Sequence, residues 1–222
     1  MVGSVRATCG AVAILVLVWV PMAHADQNEL ASGARTFIEG LTETAISQLT
    51  DPTLPVVEQE ARFREITRKH FAFKSIARWV LGGRHWRQAE AAQRDRYLML
   101  FEDLMVATYA HRFQGYSGEQ LEVANTRIIN DTEALVETRL LRAGADVPLR
   151  IDWRVRKTED SYRIIDIMAE GLSMAQTQRA EFSSFLRAND NDLEALMSNL
   201  ETRLEKARAG RASGTQEAAT KP

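Results

Sequence analysis

Between Val147 and Arg156 the chain alternates without a break, with Val147, Leu149, Ile151, Trp153 and Val155 on one parity and Arg150, Asp152, Arg154 and Arg156 on the other. Successive strand side chains point to opposite faces, so this segment is at rest only with one face on a core and the other in water. That is the signature of an antiparallel sheet covered on one side. Three neighbours share its period. Leu121–Ile129, Ala134–Leu141 and Tyr162–Met168 read as strands, with turns at Asn130-Asp131, Ala143-Gly144 and Glu159-Asp160. The inward face of the fourth strand stays open, because Ile164, Ile165 and Ile167 occupy both parities.

The segments around this meander change period. Leu30, Ala34, Phe37, Ile38, Leu41, Ala45, Ile46 and Leu49 recur at helical spacing, and Asp51-Pro52 ends that helix. Pro55 fits the first turn of a second helix, which carries Phe63 and Ile66 to about His70. Phe73–Leu81 reads as a short helix closed by Gly82-Gly83, and Ala89 to Tyr116 as the longest one. Along it Leu98, Phe101, Met105, Tyr109, Phe113 and Tyr116 make a wide aromatic stripe. Ser173–Arg187 and Leu193–Ala209 close the domain, with Asn191 and Glu194 spaced as a capping box for the last helix. Helices, a meander, then helices predict an α+β fold: a four-stranded antiparallel sheet covered on one face by a cluster of helices.

Residues 1–25 stand apart from this domain. Arg6, the apolar run Ala11–Val20 and Ala23-His24-Ala25 have the order of a cleaved secretory leader, and the run is too short to span a bilayer. The single domain then covers 26–208, and the small, polar stretch 209–222 reads as a disordered tail. Cleavage removes Cys9, the single cysteine, so an exported chain must rely on an ordinary core. The formal charge of −2, with Lys and Arg scattered among acids, excludes nucleic acid as a partner class.

Chemistry is hard to find in the mature chain. His70, His85 and His111 have no second ligand at metal spacing, and no nucleophile elbow or phosphate-cradling loop is present. No metal or cofactor is expected. His111 reads as a surface or rim residue and His85 as a stacked one between Arg84 and Trp86. Asp166 and Glu170 are the one acid/base pair worth weighing, as general bases at the mouth of an apolar cavity. The blander reading has Asp166 paired with an arginine and Glu170 bonded to backbone at a corner.

Three blocks carry more: FKSIARWVLGGRHWR at Phe73–Arg87, YLMLFEDLMVATYAHRFQGYSGE at Tyr97–Glu119 and DIMAEGLSMAQTQRAEFSSFLR at Asp166–Arg187. In the last, a strand turns through Glu170-Gly171 into a helix that Ser173 can cap. Together they resemble the MlaC, or toluene-tolerance, family of ABC-transport auxiliary proteins, over roughly Phe37 to Leu204. The resemblance implies a periplasmic carrier that binds phospholipid by its acyl chains and shuttles it between the outer and inner membranes, maintaining outer-membrane lipid asymmetry. It implies as partners an outer-membrane lipoprotein complex and the substrate-binding subunit of an inner-membrane ABC transporter. Tyr109 matches a tyrosine on the family's long helix, and Leu172 an apolar position in its EG-x-S corner. The expected lipid-binding set is Phe101, Met105, Tyr109, Phe113, Leu149, Ile151, Trp153 and Leu172. Two alternatives stay open: a hopanoid or other lipid carrier of the same fold, and a small α+β cavity enzyme using Asp166 or Glu170.

Overall fold

The computed structural model describes the backbone over residues 23–219 apart from 143 and 160, and side chains over 26–210. Residues 1–22 of the expected leader, the turn residues Ala143 and Asp160, and the end of the expected tail lie outside this range. The described helices are α1 (Ala23–Leu49), α2 (Val56–His70), α3 (Phe73–Leu81), α4 (Gly83–Gln88) and α5 (Ala91–Tyr109), then, after the sheet, α6 (Met174–Ala188) and α7 (Leu193–Ala219). The sheet contains β1 (Gln120–Asn130), β2 (Glu133–Leu141), β3 (Leu149–Lys157), β4 (Tyr162–Ala169) and β5 (Leu172–Ser173), antiparallel and in sequence order.

The α+β meander is as expected, with differences that have local causes. A fifth, two-residue strand forms because Glu170 (φ 49°) and Gly171 (φ 78°) make a tight hairpin after Ala169. Both central residues at positive φ is the turn whose twist matches its strands. The third strand starts at Leu149, because Val147 lies before Pro148 and is 74% exposed. The long helix is shorter than expected: a capping box of Glu90 and Gln93 starts it at Ala91, and after Tyr109 it tightens into a 3-10 turn over Ala110–Phe113. Phe113 and Tyr116 therefore leave the stripe that Phe101 and Met105 belong to. The cap of α7 is Asp192, whose carboxylate accepts the Glu194 amide at 2.8 Å, and not Asn191. That helix continues through Ala219, into the stretch expected to be a disordered tail. Two further helical segments were not expected, α4 and the start of α1 at Ala23.

Two cores result. One is wholly helical: Ala77, Val80 and Leu81 of α3 meet Tyr97, Phe101 and Leu104 of α5, Phe182 and Leu186 of α6, and Leu196, Met197 and Leu200 of α7. The other joins Leu30, Ala34, Ile38 and Leu41 of α1 and Ile66 of α2 to Ala134, Val136, Val155 and Ile164 of the sheet. Along the edge of β4 the halves are tied by Phe71, which bridges Ile164, and by the Ala72 amide, which donates to the Ile164 carbonyl at 2.9 Å.

The pairing resolves the parity of β4. Val155 faces Ile164 but Arg154 faces Asp166, so Ile165 is an extra, bulged residue. The bulge turns Ile164 and Ile167 to the same side, and both pack in the sheet core. The opposite face is less solvated than alternation suggests. Asp152 is 1% and Glu133 4% exposed there. Glu133 accepts from Arg154 and Arg156 at 2.5 to 2.9 Å, and Asp152 from Arg150 at 2.6 Å. Arginine stems bury these acids while their heads stay wet.

Candidate functional site

The apolar face of the sheet is the structure's strongest candidate for a binding surface. Cross-strand rows on this face run Ile128, Ala134, Val155, Ile164; then Thr126, Val136, Trp153, Ile167; then Val123, Thr138, Ile151, Ala169, Leu172; and last Leu121, Leu140, Leu149. Under α1 the first two rows contain the fully buried Ala134, Val136, Val155 and Ile164. Leu121, Leu140, Leu149 and Ile151 are only half-buried, and Leu172 at the edge is 71% exposed. The helical cover therefore thins towards one end of the sheet.

Polar atoms on this face are mostly consumed locally. Trp153 Nε1 donates to Thr138 Oγ1 at 3.2 Å, and Thr138 Oγ1 donates to the Ile151 carbonyl at 2.5 Å. What remains presented is hydrocarbon, which attracts apolar ligand surface and no particular head group.

The expected residues divide among three places. Leu149, Ile151, Trp153 and Leu172 share the apolar sheet face. Phe113 packs beside them in the sheet core, its ring 6.0 Å from Phe63. Phe101 and Met105 belong to the helical core, where Phe101 is 2% exposed and ringed by Phe73, Tyr97 and Phe182 at 5.4 to 6.2 Å. Tyr109 is half-buried, and burial lifts its phenol above the usual value despite the Arg112 guanidinium stacked 5.4 Å from its ring. Two surface hollows, of 430 and 480 Å³, are lined by other residues altogether. Leu121 and Leu140 were missed as candidates, although both occupy the apolar parity of strands read from the sequence.

Both carboxylates weighed as bases have structural work. Asp166 accepts from the Ile167 amide at 2.9 Å, the Ser173 hydroxyl at 2.5 Å and the Ala175 amide at 3.1 Å. It ties β4 to the start of α6 and does not pair with an arginine as expected; Arg154, opposite it in the register, goes to Glu133. Glu170 accepts the Arg150 amide at 2.8 Å, the backbone role expected of it, which pins the corner at its positive φ. His85 contacts Asn191 Oδ1 at 3.3 Å, while Trp86 stacks with Arg78 and Arg94 rather than with His85. Among the described residues no group of three or more His, Cys, Asp or Glu could hold a metal ion. No described helix is long and apolar enough to cross a membrane.

A family profile described as MlaC protein matches residues 39–202. This chain belongs to the MlaC family. Among curated relatives it is similar to the intermembrane phospholipid transport system binding protein MlaC of Haemophilus influenzae, at 20% identity over 97 residues. That match spans 42% of this chain and 45% of the relative, so less than half of either protein. Its fold is similar to a phospholipid-binding protein from Ralstonia solanacearum solved in complex with a phospholipid, with a TM-score of 0.71 at 20% identity. That likeness covers 79% of this chain and 98% of the other. The α+β architecture is thus the MlaC fold.

Proposed function

We propose that this protein is a periplasmic phospholipid carrier, which takes a lipid by its acyl chains and passes it between outer and inner membranes without chemical change. The observation that carries this reading is the apolar sheet face that outruns its helical cover. Two acyl chains hold about 30 methylenes, each worth about 0.8 kcal/mol, so exposing them to water costs on the order of 25 kcal/mol. Hydrogen bonds to a head group cannot offset that; an enclosing apolar surface can.

In this reading Leu149, Ile151 and Trp153 form the sheet wall and Leu172 its rim. Phe113 packs on it from the helical side, while Phe101 and Met105, in the helical core, serve as scaffold. The acyl chains would lie over the last two rows of the sheet, where the helical cover thins. The family match and the lipid in the Ralstonia neighbour support phospholipid as cargo. The leader at 1–25 directs export. The partners are an outer-membrane lipoprotein complex and the substrate-binding subunit of an inner-membrane ABC transporter, which load and unload a carrier that has no energy source of its own. Asp166 and Glu170, committed to backbone and cap, favour carriage over catalysis.

Native mass spectrometry of protein exported with its leader tests the reading. The expected result is an adduct of phospholipid mass that organic extraction removes. Folded, monodisperse protein that is empty, and stays empty after incubation with liposomes, sinks it; a fused-ring adduct instead would assign the cargo to hopanoids.

A further inference from the structure

The turn between α2 and α3 and the outward side of α5 enclose an open hollow of 430 Å³. Phe71, Phe73, Leu98 and Met99 supply its apolar floor, and Arg68, Lys74 and Glu102 stand around it. Met99 is 62% exposed, and a flexible, polarizable thioether at a surface suits a contact that must adapt to its partner.

The charges around this floor are unequal in availability. Glu102 is neutralised where it stands: Arg68 donates to it through Nε at 2.6 Å and Nη2 at 2.8 Å, with Arg64 at 3.5 Å. Arg68 nonetheless remains 64% exposed. Among the described residues the ammonium of exposed Lys74 has no hydrogen-bond or ion-pair partner. Helix α3 starts on Ala72 with no side-chain cap, so the first amides of the helix add their positive end to the same rim. The uncommitted charge is positive, and a complementary occupant brings an apolar side chain together with a carboxylate. The hollow is also open. Sites for small ligands bury most of the ligand surface, whereas an apolar floor within a charged rim is the anatomy of a protein contact.

We propose that this hollow is a docking site for a partner protein that presents an apolar side chain flanked by Asp or Glu. The need for a partner rests on the carrier reading; the site itself shares no lining residue with the sheet face, so docking and lipid loading are separable.

The experiment places benzoylphenylalanine at Met99 in the full chain, in the cells that natively make it, and cross-links with ultraviolet light. Supporting the proposal requires three results together: a protein adduct; loss of that adduct by about tenfold or more in a Lys74→Glu background; and its recovery when an acid at the mapped contact on the partner is reversed to Lys. Circular dichroism and co-purified lipid, unchanged in both variants, exclude misfolding. No adduct from the folded protein, or an adduct indifferent to the charge at 74, overturns the site. So does binding of the purified chain to phosphatidylglycerol vesicles, but not phosphatidylcholine vesicles, that Lys74→Glu abolishes, since the hollow would then face a membrane. A chain that docks as described yet carries no phospholipid would sink the carrier reading and leave the docking site standing.

Discussion

The helical half and the sheet half bury their apolar side chains in different ways. In the helical half, Phe101 meets Phe73, Tyr97 and Phe182 in tilted and edge-on contacts, and Tyr97 donates its hydroxyl to the Ala77 carbonyl at 2.9 Å. Tyr97, Phe101 and Phe182 at its centre are enclosed, and the Tyr97 hydroxyl is satisfied. In the sheet half, α1 covers one end tightly while Leu140, Leu149 and Ile151 stay half-buried and Leu172 is exposed. Thr126 Oγ1 is buried on the same face without a hydrogen-bond partner. A packed aromatic cluster gains its stability from neighbours it cannot exchange. A graded apolar face can trade neighbours for a ligand at little cost. The contrast separates a sealed core from a graded apolar face, the face that the carrier reading proposes for lipid.

Truncation on either side gives the largest test of that contrast. Phe101→Ala should lower stability by about 3–5 kcal/mol in urea unfolding, because it opens a cavity among rigid rings. Ile151→Ala should cost only about 1–2 kcal/mol, since it is already half-exposed, and should show itself as reduced lipid occupancy. If Phe101→Ala stayed as stable as the parent and merely lost lipid, the division into scaffold and surface would be wrong.

A smaller effect tests how closely α1 sits on the sheet. A Cβ at Gly33 would lie 2.0 Å from the Tyr162 hydroxyl. Gly33→Ala should therefore cost about 1–3 kcal/mol by overpacking. Hydrogen exchange should rise in α1 and β4 and leave α5 to α7 unchanged; a uniform rise would mean the halves do not respond separately.

Acid sharpens the same comparison. Burial alone would raise the Glu133 carboxyl, but hydrogen bonds from Arg156 and Arg154 outweigh it and hold the group below its ordinary 4.5. Glu137 is also held low, first by its hydrogen bond from Arg127. A depressed carboxylate stabilises the fold fully above its unfolded value, and that contribution disappears as pH falls through the folded one. Amide protection in β1–β3, taken relative to the intrinsic exchange rate at each pH, should therefore fall below about pH 4.5, the ordinary value. Glu133→Gln should flatten that dependence and cost about 1–3 kcal/mol at neutral pH. Loss of protection that begins in α5–α7 would contradict the assignment.

The smallest expected change in stability is at the rim. Leu172→Glu should leave unfolding within about 0.5 kcal/mol of the parent, as at most exposed positions. Its readout is lipid, which should fall as a carboxylate enters the path of the tails. Unaltered occupancy would remove Leu172 from the rim and leave it as plain surface.

Much of the fold was legible locally. Strict alternation in β3, the helical spacing of α1 and the Glu170-Gly171-Leu172-Ser173 corner each announce an element through residues near in sequence. The candidate face was legible in part: Leu149, Ile151 and Trp153 share the side their parity implied. Parity failed where the backbone leaves its period, as at bulged Ile165 and at Val147 before Pro148. The stripe on α5 failed for the same reason, since a change to 3-10 winding after Tyr109 carries Phe113 to a different core from Phe101.

The amino-acid sequence by itself determined the α+β order, the meander, the family and the apolar parity of one sheet face. Those follow from local period, turn chemistry and motif, which need only near neighbours along the chain. Tertiary structure alone decided which apolar residues became sealed scaffold and which stayed half-covered, and how Asp152 and Glu133 came to be buried beneath arginines. It also decided where Met99, Arg68 and Lys74 met around one hollow. Burial and charge pairing depend on residues brought together from distant parts of the chain, and no count along the sequence contains that distance.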